Sequence, residues 1–338
     1  MSSPPSGNES ASIQWHRFVE LVRSHDRFLI TSHIRPDCDA LGSELGMAHV
    51  LEALAKNVLI VNAQATPPNL QFIDRQRRLK TLGRDIQPRE LEACEVLMVL
   101  DTSAWAQLGT MADVVRASRA HKLVLDHHVG EDDLGAELFK NPRAEATGRL
   151  VVEAAHHLGV RLTPEMANPL FAAIATDTGW FRFGSTTGAT FRYGGELVDA
   201  GAVPHEIFAE LYEQDSLPRL QLRGRILART QTDLGGRLAY TSALREDFEA
   251  TGALPSDTED AINMTLAVAH TEVAVIFVEQ PTGGFKLSFR SRTPNVDCNQ
   301  LAKLFGGGGH KAAAGAFVNA PWPIAESQVL DVVRAAMR

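Results

Sequence analysis

The stretch TSHIRPDCDALG, residues 31–42, places His33, Asp37 and Asp39 between a β-rich run and a helix-like one. Further along, EVLMVLD ends at Asp101, KLVLDHH ends at Asp126, His127 and His128, and FAAIATDTG carries Asp177 just after an apolar stretch. Carboxylates and imidazoles bind divalent cations and also act as general acids and bases. Taken singly, each residue has an ordinary explanation. Asp39 reads as the N-cap of the helix that follows, Asp101 and Asp177 as turn initiators, and His33 as a satisfied core histidine. His127 and His128 read as surface loop residues, like His156 and His157 in EAAHHLG, a pair in mid-helix with no carboxylate beside it. Taken together, several carboxylates and histidines would have to land independently at strand ends, where an unpaired buried charge is costly. A shared cation removes that cost, and convergence of such ligands in a cleft marks a site.

One cation seldom needs so many protein ligands when substrate and water must bind as well. Two cations about 3.5–4 Å apart can share and acidify a water and offset the charge of an in-line phosphoryl displacement. Four carboxylates nearly cancel two divalent charges, so an anionic substrate meets little repulsion. Carboxylates and imidazoles without a thiolate set favour Mn²⁺ or Mg²⁺, with Co²⁺ as an alternative, over structural zinc.

The elements that must position these groups follow from hydrophobic patterning. RFLITSH (27–33), NVLIVNA (57–63), EVLMVLD (95–101) and KLVLDHH (122–128) read as strands, most of them separated by helix-like segments, which predicts a parallel α/β sheet. Ligands bind beyond the carboxyl ends of such strands, where the candidate residues fall. Apolar residues at 41, 45, 48, 51 and 54 predict a helix directly after Asp39, with further helices near 147–159 and 165–176. Residues 191–230 read as a helical connector. Beyond it RLAYTSAL, a helix near 257–269 and a hairpin turning at Pro281 to Gly284 predict a second, smaller α/β domain over 231–338, the first covering 14–190.

Composition bounds the reading. The chain has 338 residues, 44% hydrophobic and 22% charged, enough for two domains with a core each. No apolar run approaches the roughly 18–20 residues that span a bilayer, so no membrane partner is expected. The polar start MSSPPSGNES lacks the features of a secretory signal, and residues 1–13 read as a disordered tail. Cys38, Cys94 and Cys298 form neither a disulfide framework nor a zinc pattern, which fits a reducing cytoplasm. A net charge of −8 argues against coating a long nucleic acid duplex.

The motifs SHIRPDCD, VLDTS, LDHH and ATDTG resemble, in kind and order, those of the DHH phosphoesterase superfamily, over residues 27–183. SFRSRTPNVDCNQLAKLFGGGGHKAAAGA resembles the DHHA1 domain, so the likeness covers most of the chain and is greatest to the two-domain nano-RNases. The resemblance implies a DHH catalytic domain joined to a DHHA1 substrate-binding domain, with the active site in the cleft between them. It implies two divalent ions, Mn²⁺ foremost: His33 and Asp37 on one, Asp39, His127 and Asp177 on the other, and Asp101 between them. His128 would face the phosphoryl group, and Asp126 would orient a histidine by accepting its other ring proton. Cys38 departs from the glycine more usual between the paired aspartates, which predicts sensitivity to oxidation or soft metals.

Residues 283–311 hold Lys286, Arg290, Arg292, Lys303 and Lys311 against one acid, Asp297. This is either a solvated basic face or a phosphate grip, since Arg290 and Arg292 alternate along a strand and would share a side. GGGGH (306–310) is either a flexible turn or a loop whose backbone approaches a ligand. With the resemblance, Ser288, Gly307, Gly308, Gly309 and His310 join the substrate-binding candidates. The expected function is a metal-dependent phosphodiesterase that cleaves very short oligonucleotides, including linear pApA and pGpG, to 5′-mononucleotides. It would also remove the 3′-phosphate of 3′-phosphoadenosine 5′-phosphate (pAp), and the chain could be a homodimer. The alternatives are a manganese-dependent pyrophosphatase or polyphosphatase, a long-strand exonuclease, and a nucleotide sensor without catalysis. GxGxxG is absent after the first strand, which argues against a dinucleotide oxidoreductase.

Overall fold

Continuous apolar runs such as VLMVL become central strands of a parallel sheet because helices cover both of its faces. The computed structural model describes residues 13–338. The expected N-terminal tail, apart from Ile13, lies outside the described residues. The chain divides into two compact units after Gln214.

The first unit runs α1 (Trp15–Ser24), β1 (Arg27–Thr31), α2 (Cys38–Ala53), β2 (Asn57–Asn62), β3 (Leu79–Thr81), β4 (Val96–Leu100), α3 (Met111–Ala117), β5 (His121–Asp126), β6 (Glu137–Lys140), α4 (Thr147–Leu158), α5 (Pro164–Asp177), α6 (Gly188–Asp199) and α7 (Pro204–Tyr212). Its six strands are ordered β3-β2-β1-β4-β5-β6, and every pairing is parallel. The order reverses between β1 and β4, so the crevice beyond their carboxyl ends is the topological switch point where such sheets bind ligands. Alternate strand residues feed two cores. Phe28, Ile30 and Met98 pack with α1, α2, α4 and α5, while Leu29, Leu97, Val99 and Val124 pack with α3.

Helix α2 is longer than the expected stripe and buried nearly all round, from Cys38 through Ala48. It is wedged against α5, and the approach depends on missing side chains. A Cβ at Gly42 would lie 2.3 Å from the Pro169 carbonyl oxygen, and one at Gly148 in α4 would lie 2.6 Å from Ala173 Cβ. Close packing of α2, α4 and α5 therefore sets where the C-terminal residue of α5, Asp177, comes to rest.

The second unit runs α8 (Leu217–Ala228), β7 (Gln231–Asp233), β8 (Leu238–Ala243), α9 (Arg245–Thr251), α10 (Ala261–Leu266), β9 (Val273–Glu279), β10 (Phe285–Ser291), α11 (Cys298–Lys303), β11 (Gly308–Gly309), β12 (Ala313–Val318) and α12 (Trp322–Ala336). Its sheet is ordered β11-β12-β10-β9-β8-β7, antiparallel except for the β8/β9 pair. The β9–β10 hairpin turns through Gly283 and Gly284, both at positive φ. The helix expected over 257–269 is confined to α10, because Asp260 adopts φ 69° and interrupts it. GGGGH is not a flexible turn, since Gly308 and Gly309 pair with Gly315 and Ala314 of β12. A Cβ at Gly307 would lie 2.2 Å from the Gly315 carbonyl oxygen, so that glycine serves the close approach of the chain to itself.

Candidate functional site

The carboxyl ends of β1, β4 and β5, with the C-terminus of α5, bring His33, Asp37, Asp39, Asp101, His127, His128 and Asp177 together. Three groups have ligand atoms close enough for a shared cation: His33 with Asp37 and Asp101, Asp39 with His127 and Asp177, and Asp101 with His127 and His128. Asp101 joins the first group to the second by facing both ways. Its Oδ2 is 3.3 Å from His33 Nε2, and its Oδ1 is 3.4 Å from His127 Nε2. His33 Nε2 also lies 3.9 Å from Asp37 Oδ1, while His127 Nε2 lies 3.7 Å from Asp39 Oδ2 and 3.5 Å from Asp177 Oδ2.

Backbone hydrogen bonds fix the two rings. His33 Nδ1 lies 2.9 Å from the Ile34 carbonyl oxygen and His127 Nδ1 lies 3.2 Å from that of Ala144. A carbonyl only accepts, so each Nδ1 carries the proton, and in the neutral ring each Nε2 turns a lone pair toward carboxylate oxygens. Lone pairs facing lone pairs in a buried site call for a shared proton or a cation, and neutral imidazole with carboxylate is a fitting donor set for the latter.

The paired aspartates divide two tasks that the sequence leaves to one. Asp37, not Asp39, caps α2, accepting the Ala40 N–H at 3.0 Å. Asp39 is buried and caps a different helix, since its carboxylate accepts the N–H groups of Thr147 at 2.7 Å and Gly148 at 2.8 Å in the first turn of α4. No side chain of α4's own N-cap, Ala146, does this. The helix N-terminus thus helps to hold a buried negative charge. Asp101 sits at φ 61°, a left-handed conformation that costs a non-glycine residue roughly 1–3 kcal/mol and is typical of functional positions. Thr147 Oγ1 donates to Asp101 Oδ1 at 2.9 Å.

Burial, reinforced by the neighbouring carboxylates Asp39 and Asp37, raises the Asp101 carboxyl well above its ordinary value and raises that of Asp177 as well. Asp39 is also raised by burial, against the pull of His127 and its two backbone donors. Without a cation these carboxylates compete for protons. Asp126 is the exception. Burial alone would raise it, but the ring and backbone N–H of His128, the Lys140 charge and the Ser103 hydroxyl outweigh burial and hold it down to about 2. It accepts from His128 Nδ1 at 2.8 Å, and that bond raises the His128 imidazole above its ordinary value.

Other sequence expectations meet a different outcome. Cys38 is buried rather than presented at the loop surface, and burial with the nearby Asp37 charge pushes its thiol up to about 12. His156 does have a carboxylate beside it, Glu196 of α6 at 2.5 Å, and His157 stacks on Trp15. In the second unit, Ser288 and Arg290 share one face of β10, opposite buried Phe285, Leu287 and Phe289. Arg292 lies past the end of that strand, and His310 is exposed, its N–H bonded to the Ala313 carbonyl at 2.7 Å. No pattern in the sequence singles out Thr147, Lys140 or Ser103 as partners of the site. ATGRL does mark a helix start, but nothing local says which carboxylates Thr147 would meet.

Residues 27–174 match the model of the DHH family N-terminal domain, and residues 241–338 match the DHHA1 domain. The bifunctional oligoribonuclease and PAP phosphatase NrnA of Thermus thermophilus is 32% identical over 308 residues, covering 90% of this chain and 88% of that protein. Its namesake in Bacillus subtilis is 28% identical over 93% of this chain and 97% of its own length. An exopolyphosphatase-related protein from Bacteroides fragilis superposes with a TM-score of 0.80 at 25% identity, covering 95% of this chain and 94% of that one. With both domains matched in order, and matched over most of its length by NrnA-type relatives, the chain belongs to the DHH–DHHA1 family of phosphoester hydrolases.

Proposed function

We propose that the protein hydrolyses the phosphodiester bonds of very short oligonucleotides, among them linear pApA and pGpG, to 5′-mononucleotides, and removes the 3′-phosphate of pAp. The observation that carries this reading is the double-facing Asp101 carboxylate between His33 Nε2 and His127 Nε2. That arrangement suits two cations sharing one bridging ligand. The oligoribonuclease and PAP phosphatase names of the T. thermophilus and B. subtilis relatives supply the substrate class.

His33 and Asp37 would hold one divalent ion, Asp39, His127 and Asp177 the other, with Asp101 between. Mn²⁺ is the first choice for this donor set, with Mg²⁺ or Co²⁺ as alternatives. Such ions supply an acidified water and neutralise charge developing on the phosphoryl oxygens. The remaining work belongs to the chain. His128, held by Asp126 at Nδ1, would present Nε2 to a phosphoryl oxygen. Ser288 and Arg290, with Arg292, His310 and the backbone of Gly307, Gly308 and Gly309, would bind the rest of the nucleotide.

Incubating the purified protein and Mn²⁺ with pAp, pApA, a longer RNA and pyrophosphate tests the proposal. Turnover of pAp and pApA, with the longer RNA much slower, is the expected result. Consumption of pyrophosphate alone would make the protein a pyrophosphatase, and nucleotide binding without turnover would make it a sensor.

A further inference from the structure

Edge strand β6 ends on a lysine that the chemistry above does not use. In the register of the parallel β5/β6 pair, Lys140 is the partner of Asp126, so both side chains leave the sheet on the same face. The Lys140 side chain is only 8% exposed. Its ammonium lies 2.6 Å from Ser103 Oγ, 2.7 Å from the Gly130 carbonyl oxygen and 3.1 Å from Asp126 Oδ2. Glu131 Oε2 is 3.7 Å away. Ser103 Oγ lies within 2.9 Å of Asp126 Oδ2 and 2.8 Å of the Gly130 carbonyl, closing a ring of polar contacts around the ammonium.

The ring ties together three pieces of chain that carry the site. Ser103 stands two residues past Asp101, Gly130 two residues past His128, and Asp126 is the first letter of the DHH triplet. It also fixes which oxygen of Asp126 faces which way. Oδ2 is taken by Lys140 and Ser103, leaving Oδ1 for the backbone N–H of His128 at 3.0 Å and its ring Nδ1 at 2.8 Å. A buried ammonium with three oxygen partners of fixed direction suits a point charge on a flexible stem, not a planar guanidinium.

We propose that Lys140 is a positioning residue: by locking the Asp126 carboxylate and the 127–130 loop, it holds the His128 ring with Nδ1 toward Asp126 and Nε2 free for the substrate. The kinetic part of this inference rests on the phosphoesterase reading, and the spectroscopic part does not.

The test uses the full-length protein with Lys140→Met and Lys140→Arg, each also combined with His128→Ala, and Ser103→Ala as a milder opening of the same ring should Lys140→Met fold poorly. With pApA and Mn²⁺, Lys140→Met should lower kcat about tenfold or more while KM changes less than about twofold, and Lys140→Arg should recover part of the loss. In the His128→Ala background the same substitutions should cost nothing further, because their effect passes through that ring. In ¹⁵N-histidine spectra recorded with EDTA, His128 should show a protonated Nδ1 in the wild type and a tautomer mixture in Lys140→Met and Ser103→Ala. Equal fractional losses with and without His128, or an unchanged His128 spectrum in both variants, would overturn the inference. If the wild type turned over no substrate, the functional reading would fall and the spectra would still decide the role of Lys140.

Discussion

Asp101 stands where the candidate ligand groups of the site meet. It is buried, held in left-handed backbone, bonded by Thr147, and faces an imidazole with each oxygen. Asp101→Asn keeps the shape and removes the charge that two cations would share. It should lower kcat for pApA by about three orders of magnitude and weaken Mn²⁺ binding in calorimetry, and wild-type values for both would sink the bridging role. A second residue prediction concerns Glu44 of α2, fully buried and bonded by Asn62 Nδ2 at 2.8 Å. Burial raises its carboxyl to about 8 from an ordinary 4.5, so the folded chain holds a proton there that the unfolded chain has lost. That stabilising contribution is fully present below about pH 4.5 and is lost as pH rises through about 8. Glu44→Gln should therefore gain stability relative to the wild type between pH 5 and pH 8.5 in urea titrations, and a constant difference across that range would contradict the assignment. The grouping of the candidate ligands was partly legible in the sequence, because suited residue types stand just past strands β1, β4 and β5 and, for Asp177, at the end of an apolar helix. Asp39 as the cap of α4, and the Lys140 ring, were not, because each depends on segments about a hundred residues apart or on the register of an edge strand.

Among the elements, the α2–α5 contact decides how Asp177 stands to Asp39. A methyl group at Gly42 would collide with the Pro169 carbonyl, a rigid neighbour. Gly42→Ala should destabilise the protein by about 1–3 kcal/mol through overpacking, outweighing the roughly 1 kcal/mol alanine gains in a helix. Urea denaturation measures it, and equal or greater stability would show that α5 yields easily. The central strands β1, β2, β4 and β5 were readable because burial on both faces demands unbroken apolar runs. The short edge strands β3 and β6 carry mixed residues, and β12, AAGAFV, has the small residues that sequence propensity assigns elsewhere. β12 pairs all the same because β10 offers it a partner edge and its small side chains admit Gly308 and Gly309 alongside.

For the whole molecule, the proposed function would assign catalysis to the acidic site of the first unit and substrate capture to the basic strand of the second. Arg290→Ala should raise KM for pApA about tenfold and leave kcat within about twofold, and a fall in kcat alone would contradict a binding role. Divalent ions that bind only the folded first unit should raise its thermal midpoint. At a hundredfold excess over Kd the gain is about 2.7 kcal/mol, or several degrees, and EDTA should reverse it. Identical melting curves with Mn²⁺ and with EDTA would remove the cations from the account. Two domains, their order and the sheet class were legible from alternating patterns over 338 residues. The division after Gln214 falls inside the expected helical connector, residues 191–230, where helices α6 to α8 follow one another. The most direct measurement is the initial rate of pApA hydrolysis with Mn²⁺, wild type beside Asp101→Asn. Release of adenosine 5′-monophosphate by the wild type and near-complete loss in the variant is the predicted result, whereas no release by the wild type, or equal release by both, would contradict a short-oligonucleotide phosphodiesterase centred on Asp101.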